Sequence, residues 1–207
     1  FNNAITQNPI CTPSRVSFHS GQYPHNHGYY GLNGPNSQGL LNILGLFQNA
    51  GYKTCAIGKI HCPEYWIEDQ CHLFHETCNC SIGGRSSSYK KFLKKREKLS
   101  QEDHGSLPEF GKNGRQSVEG RPSPLSFEEA QEGWITNKTL KFIKQSLEED
   151  KPFFAHVSFP RPHQCTSPSK AFWEMYNEEE LTLPPNADYE MFEKAPHLRS
   201  QAKQWRE

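Results

Sequence analysis

The chain has 207 residues, with 23 Lys and Arg balanced by 23 Asp and Glu and a mean hydropathy of −0.84. That balance supplies no global field for a nucleic acid or a membrane surface, and no apolar run approaches the roughly 18 residues a membrane span needs. The length suits one sizeable core or part of a larger domain. The opening Phe1, committed at once to the strand-like "FNNAIT", reads as the start of a fragment. The opening residues do not read as a basic-then-apolar leader, which in a fragment leaves localisation open. Seven cysteines, at 11, 55, 62, 71, 78, 80 and 165, make an odd count without the spacing of a small disulfide scaffold. Two Asn-x-Ser/Thr sequons, at Asn79 and Asn137, carry weight only in a secreted protein.

After the "FNNAIT" strand comes "NPICTPSRVSFHSG". Thr12 is a good N-cap and Pro13 suits a first helical position, so the spacing predicts a helix from there towards Gly21. Cys11 then sits just outside a helix N-terminus, where unpaired N–H groups and the helix dipole attract anions. Arg15, about one turn in, adds a guanidinium able to fork onto an oxyanion. His25 and His27 in "YPHNHG" either line a pocket or belong to a turn around Gly28. Residues 37–50 carry Leu40, Leu41, Ile43, Leu44 and Phe47 at helical spacing, with Gly51 as the residue that ends the helix. "YKTCAIGKIH" reads as a strand placing Cys55, Ile57, Lys59 and His61 on one face.

Cys62, Cys71, His72, His75, Cys78 and Cys80 invite a zinc reading, and with it a non-enzymatic metal-binding module. Their spacing matches no common structural zinc pattern, so free or paired cysteines are the plainer reading. Residues 81–125, with ten Lys and Arg against five Asp and Glu, read as a polar insertion with a short helix around Tyr89–Leu99. Such an insertion is either a charged surface loop or a loop that rims a site. Ser126 and Glu129 form a capping box ahead of a helix ending near "EEDKP". "FFAHVSF" then reads as a buried strand stopped by Pro160, and "HLRSQAKQWRE" as a terminal helix. Helix, glycine, strand, twice over, is an α/β pattern.

Lys59 and His61 lie at the carboxyl end of the first such strand, and His163 in "SFPRPH" just beyond the second. Ligands in open α/β sheets bind outside those ends. Three segments thus deliver a cysteine, two cations and two histidines to one rim.

Cys11-Thr12-Pro13-Ser14-Arg15 with Ser20-Gly21, "GYKTCAIGKIH" and "SFPRPH" resemble, in order and spacing, the conserved motifs of the type I sulfatases. The resemblance runs from Phe1 to about residue 176. It implies an alkaline-phosphatase-like α/β fold, a mixed or parallel sheet flanked by helices, present as the N-terminal part of a catalytic domain spanning 1–207. It implies hydrolysis of a sulfate monoester, on a small molecule or a glycan, to alcohol and inorganic sulfate. A phosphonate monoester or phosphodiester hydrolase of the same superfamily is the alternative.

The resemblance further implies that a separate maturating enzyme oxidises Cys11 to Cα-formylglycine, reading Pro13, Ser14 and Arg15 as part of its signal. Arg15 would hold the formylglycine oxygens, Lys59 would bridge nucleophile and sulfate, His61 would serve the hydrate, and His163 would protonate the leaving oxygen. Ca²⁺, or Mg²⁺, would be bound by modified Cys11 together with Asp and Asn ligands. Those partner ligands fall outside residues 1–207, so the isolated chain is expected to bind the metal poorly and to be inactive alone. His19 and Ser20 depart from the commoner Leu-Thr.

Overall fold

The computed structural model describes residues 2–35, 39–77, 87–98, 122–163, 167–182 and 185. The chain divides into two compact units, Phe1–Lys170 and Ala171–Glu207. The described elements from Lys170 onward are a helical turn, Lys170–Trp173, and a 3₁₀ turn, Glu178–Glu180. Cys78, Asn79, Cys80, Cys165 and the "HLRSQAKQWRE" helix lie outside the described residues.

The first unit is built on three parallel strands in the order β2-β1-β3: β1 (Lys53–Gly58), β2 (Leu73–Glu76) and β3 (Phe153–Ser158). Cys55 pairs with Leu73 on one side and Ala155 on the other, and this register runs through to Gly58 opposite Glu76 and Ser158. The period-two alternation divides the strand side chains between two cores. Ala56, Phe74 and Phe154 face a cluster containing Val16, Tyr29, Leu44, Trp66 and Ile67. Cys55, Ile57, Leu73 and Val157 face a second cluster with Tyr89, Leu93, Trp134, Ile135 and Phe142. A parallel sheet covered on both faces follows, as βαβ crossovers require.

On the first face lie α1 (Cys11–Ser20), the single turn α2 (Pro24–His27), α3 (Ile43–Asn49) and α4 (Glu64–Glu68). α3 is shorter than its apolar spacing predicts, because Asn42 caps it by accepting from the Gly45 amide at 3.0 Å. At its other end Gly51 adopts φ 85°, Gly51 N–H donates to Gln48 O and Tyr52 N–H to Phe47 O. The Tyr52 ring packs on Phe47 with centroids 5.0 Å apart. This is a Schellman ending with its hydrophobic contact, and the glycine is there because the left-handed φ disfavours a Cβ.

The second face carries α5 (Ser88–Lys94) and α6 (Gln131–Glu148). α5 is the short helix expected within the 81–125 insertion, but this part of the insertion is not merely solvated. Tyr89 and Leu93 are fully buried in the second core. α6 starts later than the capping box predicts. Glu129 does reach back to the Ser126 amide at 3.4 Å, yet residues 126–130 form a turn and the helix begins at Gln131 after Ala130, which caps with no side chain. That turn is pressed onto α6 at Gly133, where a Cβ would lie 1.9 Å from Phe127 O.

Two strand expectations are corrected. Residues 2–6 form no strand and are exposed, because no neighbouring strand among the described residues pairs with them. β3 is half-buried along its whole length rather than buried, since among the described strands it has a neighbour on one side only.

Candidate active site at the carboxyl ends of the strands

α1 begins at Cys11 itself, not after Thr12. Ile10 is the capping residue, with extended backbone and no side-chain bond, and Ser14 N–H reaches its carbonyl at 3.1 Å. Thr12 turns inward instead of capping and its Oγ1 is buried without a partner. Pro13 occupies the first turn, where its missing N–H costs nothing. Gly21 ends the helix at φ 68° as the spacing predicts, its N–H on Ser17 O. Cys11 is half-buried with a free thiol, and Arg15 follows one turn later on the same face. Ser14 is turned to another partner, with its Oγ 3.1 Å from Thr6 Oγ1.

Arg15 has a structural task the sequence does not announce. Its Nη1 donates to Lys59 O at 2.7 Å, Ile60 O at 3.5 Å and Ser158 Oγ at 3.3 Å. One arm of the guanidinium therefore ties α1 to the ends of β1 and β3. The fork that remains, Nε and Nη2, is what an anion could use.

β1 ends at Gly58, so Lys59 and His61 do not share a strand face as predicted. Gly58 adopts φ 108° and a Cβ there would meet Ser158 O at 1.9 Å, so the chain turns where the strands approach too closely for any side chain. Lys59 N–H still donates to Ser158 O at 2.8 Å. Ile60 is then anchored through its N–H to Glu76 Oε2 at 3.0 Å, while Glu76 Oε1 accepts from Thr77 N–H at 2.9 Å. His61 takes φ 48°, a strained conformation for a non-glycine residue.

The turn brings the charges together. Lys59 is 5% exposed, and among the described residues no carboxylate lies within ion-pair distance of it. His61 has a buried, unpartnered Nδ1. Burial first, then Lys59, Arg15 and His163, push its imidazole down to about 4. Arg15, Lys59 and His163, from three separate segments, are thus each within electrostatic reach of His61. His163 is exposed, in a turn where its N–H meets Pro160 O at 3.1 Å, just after a cis Arg161–Pro162 peptide. Arg161 pairs with Glu132 at the start of α6, which fixes that turn against the second face. A buried ammonium without a counter-ion is costly, and an arriving anion offsets that cost.

Sequence reasoning passed over a histidine pair beside Arg15. His19, 1% exposed, stacks edge-on against His156 of β3 with ring centroids 4.6 Å apart. Neither His19 nitrogen has a partner, and His156 Nε2 has none. Burial, followed by His156 and Arg15, pushes His19 down to about 3, and burial with Arg15 pushes His156 to about 4. The one available signal was His19 itself, a polar residue on the inward face of an amphipathic helix.

Among the described residues the remaining histidines and cysteines do not gather, and Cys78 and Cys80 lie outside them. His27 is buried and bonded to Ser17 Oγ at 2.9 Å and to Tyr29 N–H at 3.1 Å, and His25 stacks on Tyr23, so both belong to the turn. Cys62 packs in the first core, Cys71 beside Leu73 O, His72 bonds the Thr54 backbone, and His75 stacks against Trp134 in the second core. The sheet separates them, and among the described residues no group of three or more His, Cys, Asp or Glu could hold a metal.

A hard cation fares no better. Ca²⁺ and Mg²⁺ take oxygen ligands, whereas His61 and the residues acting on it are two cations and two imidazoles, and the buried Glu76 accepts from two backbone amides. These residues do not by themselves fit the ion.

The Sulfatase family model matches residues 1–202. An arylsulfatase of Clostridium perfringens (strain 13 / Type A) is 29% identical over 199 residues, covering 91% of this chain and 41% of the relative. A phosphonate monoester hydrolase of Agrobacterium radiobacter superposes with a TM-score of 0.59 at 18% identity, over 86% of this chain and 36% of that one. A structure in complex with its substrate, D-glucosamine-2-N,6-O-disulfate, gives 0.56 at 21% identity, over 90% and 32%. Those two likenesses establish the alkaline-phosphatase-like fold. The chain spans about two-fifths of the length of the arylsulfatase it matches. With a family model covering all but its last five residues, the chain belongs to the sulfatase family.

Proposed function

We propose that residues 1–207 form the N-terminal part of the catalytic domain of a sulfuric ester hydrolase that cleaves a sulfate monoester through formylglycine made from Cys11. The observation that supports the reading is Lys59, 5% exposed and without a carboxylate partner among the described residues, acting with Arg15 and His163 on His61, while Arg15 of the helix that begins at Cys11 bonds the Lys59 carbonyl. Nothing in core packing calls for that set, and an anion of sulfate's size satisfies it.

The chemistry follows from the residue types. Oxidation of Cys11 by a maturating enzyme that reads Pro13, Ser14 and Arg15 converts the thiol to an aldehyde, whose hydrate offers two hydroxyls. One attacks sulfur and expels the alcohol. The other then loses its proton, the bond from carbon to the sulfated oxygen breaks, and sulfate departs with the aldehyde restored. Lys59 stabilises charge on the sulfuryl oxygens as it builds, and the free side of Arg15 orients the hydrate. His61, neutral above about pH 4, accepts the proton, while exposed His163 serves as the acid for the leaving oxygen.

The test is the mass of the Cys11 peptide from the native host together with rates on two esters. Conversion to formylglycine lowers the mass by about 18 Da. The full-length protein is expected to carry that change and to turn over 4-nitrophenyl sulfate. An unmodified thiol, or turnover of a phenylphosphonate ester alone, overturns the reading, the second in favour of a phosphonate ester hydrolase on the same fold.

A further inference from the structure

Between α5 and α6, on the second face of the sheet, lies an open cavity of about 550 Å³. Its walls carry five cations, Lys91, Lys95 and Arg96 from α5 and its C-terminal end, Lys138 and Lys141 from α6, against one acid, Glu128. Among the described residues none of the five cations pairs with a carboxylate. In a chain of zero net charge this is a strongly local excess. The floor is also unsatisfied. Trp134, 3% exposed, has a buried Nε1 with no partner, and the adjacent His75, 5.7 Å away by ring centroid, has an unpartnered Nδ1. Burial, then Lys138 and Lys141, holds the His75 imidazole down at about 4, so it stays neutral beside the lysines.

We propose that this groove is a second binding site, for a sulfated oligosaccharide chain. The identification as a sulfated glycan rests on the sulfate-ester reading above; the anion preference rests on the groove itself. Clustered, solvated cations around buried neutral donors suit a ligand with repeated anionic oxygens and hydroxyls. A nucleic acid, the other common polyanion, takes stacking platforms, and none is offered. Trp134 is buried, and the Phe92 ring is covered by the Arg96 guanidinium at 3.9 Å. The position also suits a polymer whose sulfate is cleaved at the strand ends. Glu132, which α6 uses to hold Arg161 two residues before His163, precedes Asn137 and Lys141 by a rise of about 8–14 Å along the helix. The groove thus begins one to two helical turns from the rim where His163 sits.

The experiment uses the full-length protein and a heparin hexasaccharide, with binding followed by calorimetry and turnover on 4-nitrophenyl sulfate followed separately. Lys138→Ala/Lys141→Ala is expected to weaken hexasaccharide binding about tenfold while small-ester turnover is unchanged. Lys144→Ala, an exposed lysine of α6 outside the groove, is expected to leave both unchanged. Cys11→Ala is expected to abolish turnover and keep the hexasaccharide bound, so loss of the sulfatase reading and loss of the groove give different results. Hexasaccharide affinity equal in the double variant and the parent, or tighter binding of a single-stranded oligonucleotide than of the hexasaccharide, overturns the proposal.

Discussion

Lys59 and His61 are coupled through charge, and that coupling makes both testable at the level of single residues. Replacing Lys59 by methionine keeps the buried stem and removes the ammonium. On the mechanism above, this removes stabilisation that exists only as charge develops, and kcat for sulfate ester hydrolysis is expected to fall about 10²–10³-fold. The same change removes the cation that, after burial, does most to push the His61 imidazole down to about 4, so the His61 titration followed by NMR shifts upward in Lys59→Met. A His61 titration that does not move would mean the two side chains are not electrostatic neighbours. Cys11→Ser tests the release step instead. A serine carries one hydroxyl, so an attack on sulfur leaves a sulfate ester with no second hydroxyl to expel it. Mass spectrometry of that variant after exposure to substrate is expected to show an adduct of about 80 Da, and an unmodified mass argues against a covalent route.

At the level of elements, glycines show which parts of the site geometry are rigid. At Gly58 an added Cβ would sit 1.9 Å from the Ser158 carbonyl oxygen at φ 108°, so Gly58→Ala must prise β1 from β3 at the point where Arg15 clamps both. A loss of about 3 kcal/mol or more in unfolding free energy is expected, with activity lost alongside. Gly21→Ala is the comparison. Its φ is 68° but nothing lies within 4 Å, so the cost is only that of left-handed backbone, about 1 kcal/mol. Equal losses in chemical denaturation would show that strain, not steric contact, governs both positions. The same glycine explains where sequence reading succeeds and stops. Helix–glycine–strand was legible in residues 43–58 because α3 ends on Gly51 and its spacing is local. The end of β1 was not, because it depends on the approach of Ser158, one hundred residues away. Alternation placed Lys59 and His61 on a strand face, whereas a tertiary contact turns them out of the strand. The capping box forms its Ser126–Glu129 bond but misplaces the helix start for the same kind of reason, since the turn at Phe127 packs onto Gly133.

Taken as a whole, the molecule withdraws four histidines from water, which ties its stability to pH. His19 is held at about 3, and His61, His75 and His156 at about 4, each with burial as the leading cause. All four shifts are downward from 6.5, so the folded state excludes protons that the unfolded chain binds once the pH drops below that value. Unfolding is therefore accompanied by proton uptake, and stability falls as the pH is lowered from about 6.5 to about 4, continuing to about 3 for His19. Above 6.5 these groups are neutral in both states and contribute no slope. The carboxylates of Glu129 and Glu149, held below their usual range first by hydrogen bonds from Lys98 and Lys53, act in the same direction but only below 4.5, and the exposure of Glu149 keeps its share small. The two windows are separable. His19→Leu fills a site walled by Trp66, Phe18 and His156 with a side chain that needs no hydrogen-bond partner and takes no proton. Its Tm is expected to exceed that of the parent by more at pH 5 than at pH 8, with proton uptake on unfolding at pH 5 reduced by up to about one. Parallel Tm profiles between pH 4 and 8 would mean that His19 is protonated alike in both states, and hence that its nitrogens find in the folded protein a partner other than the rings around them.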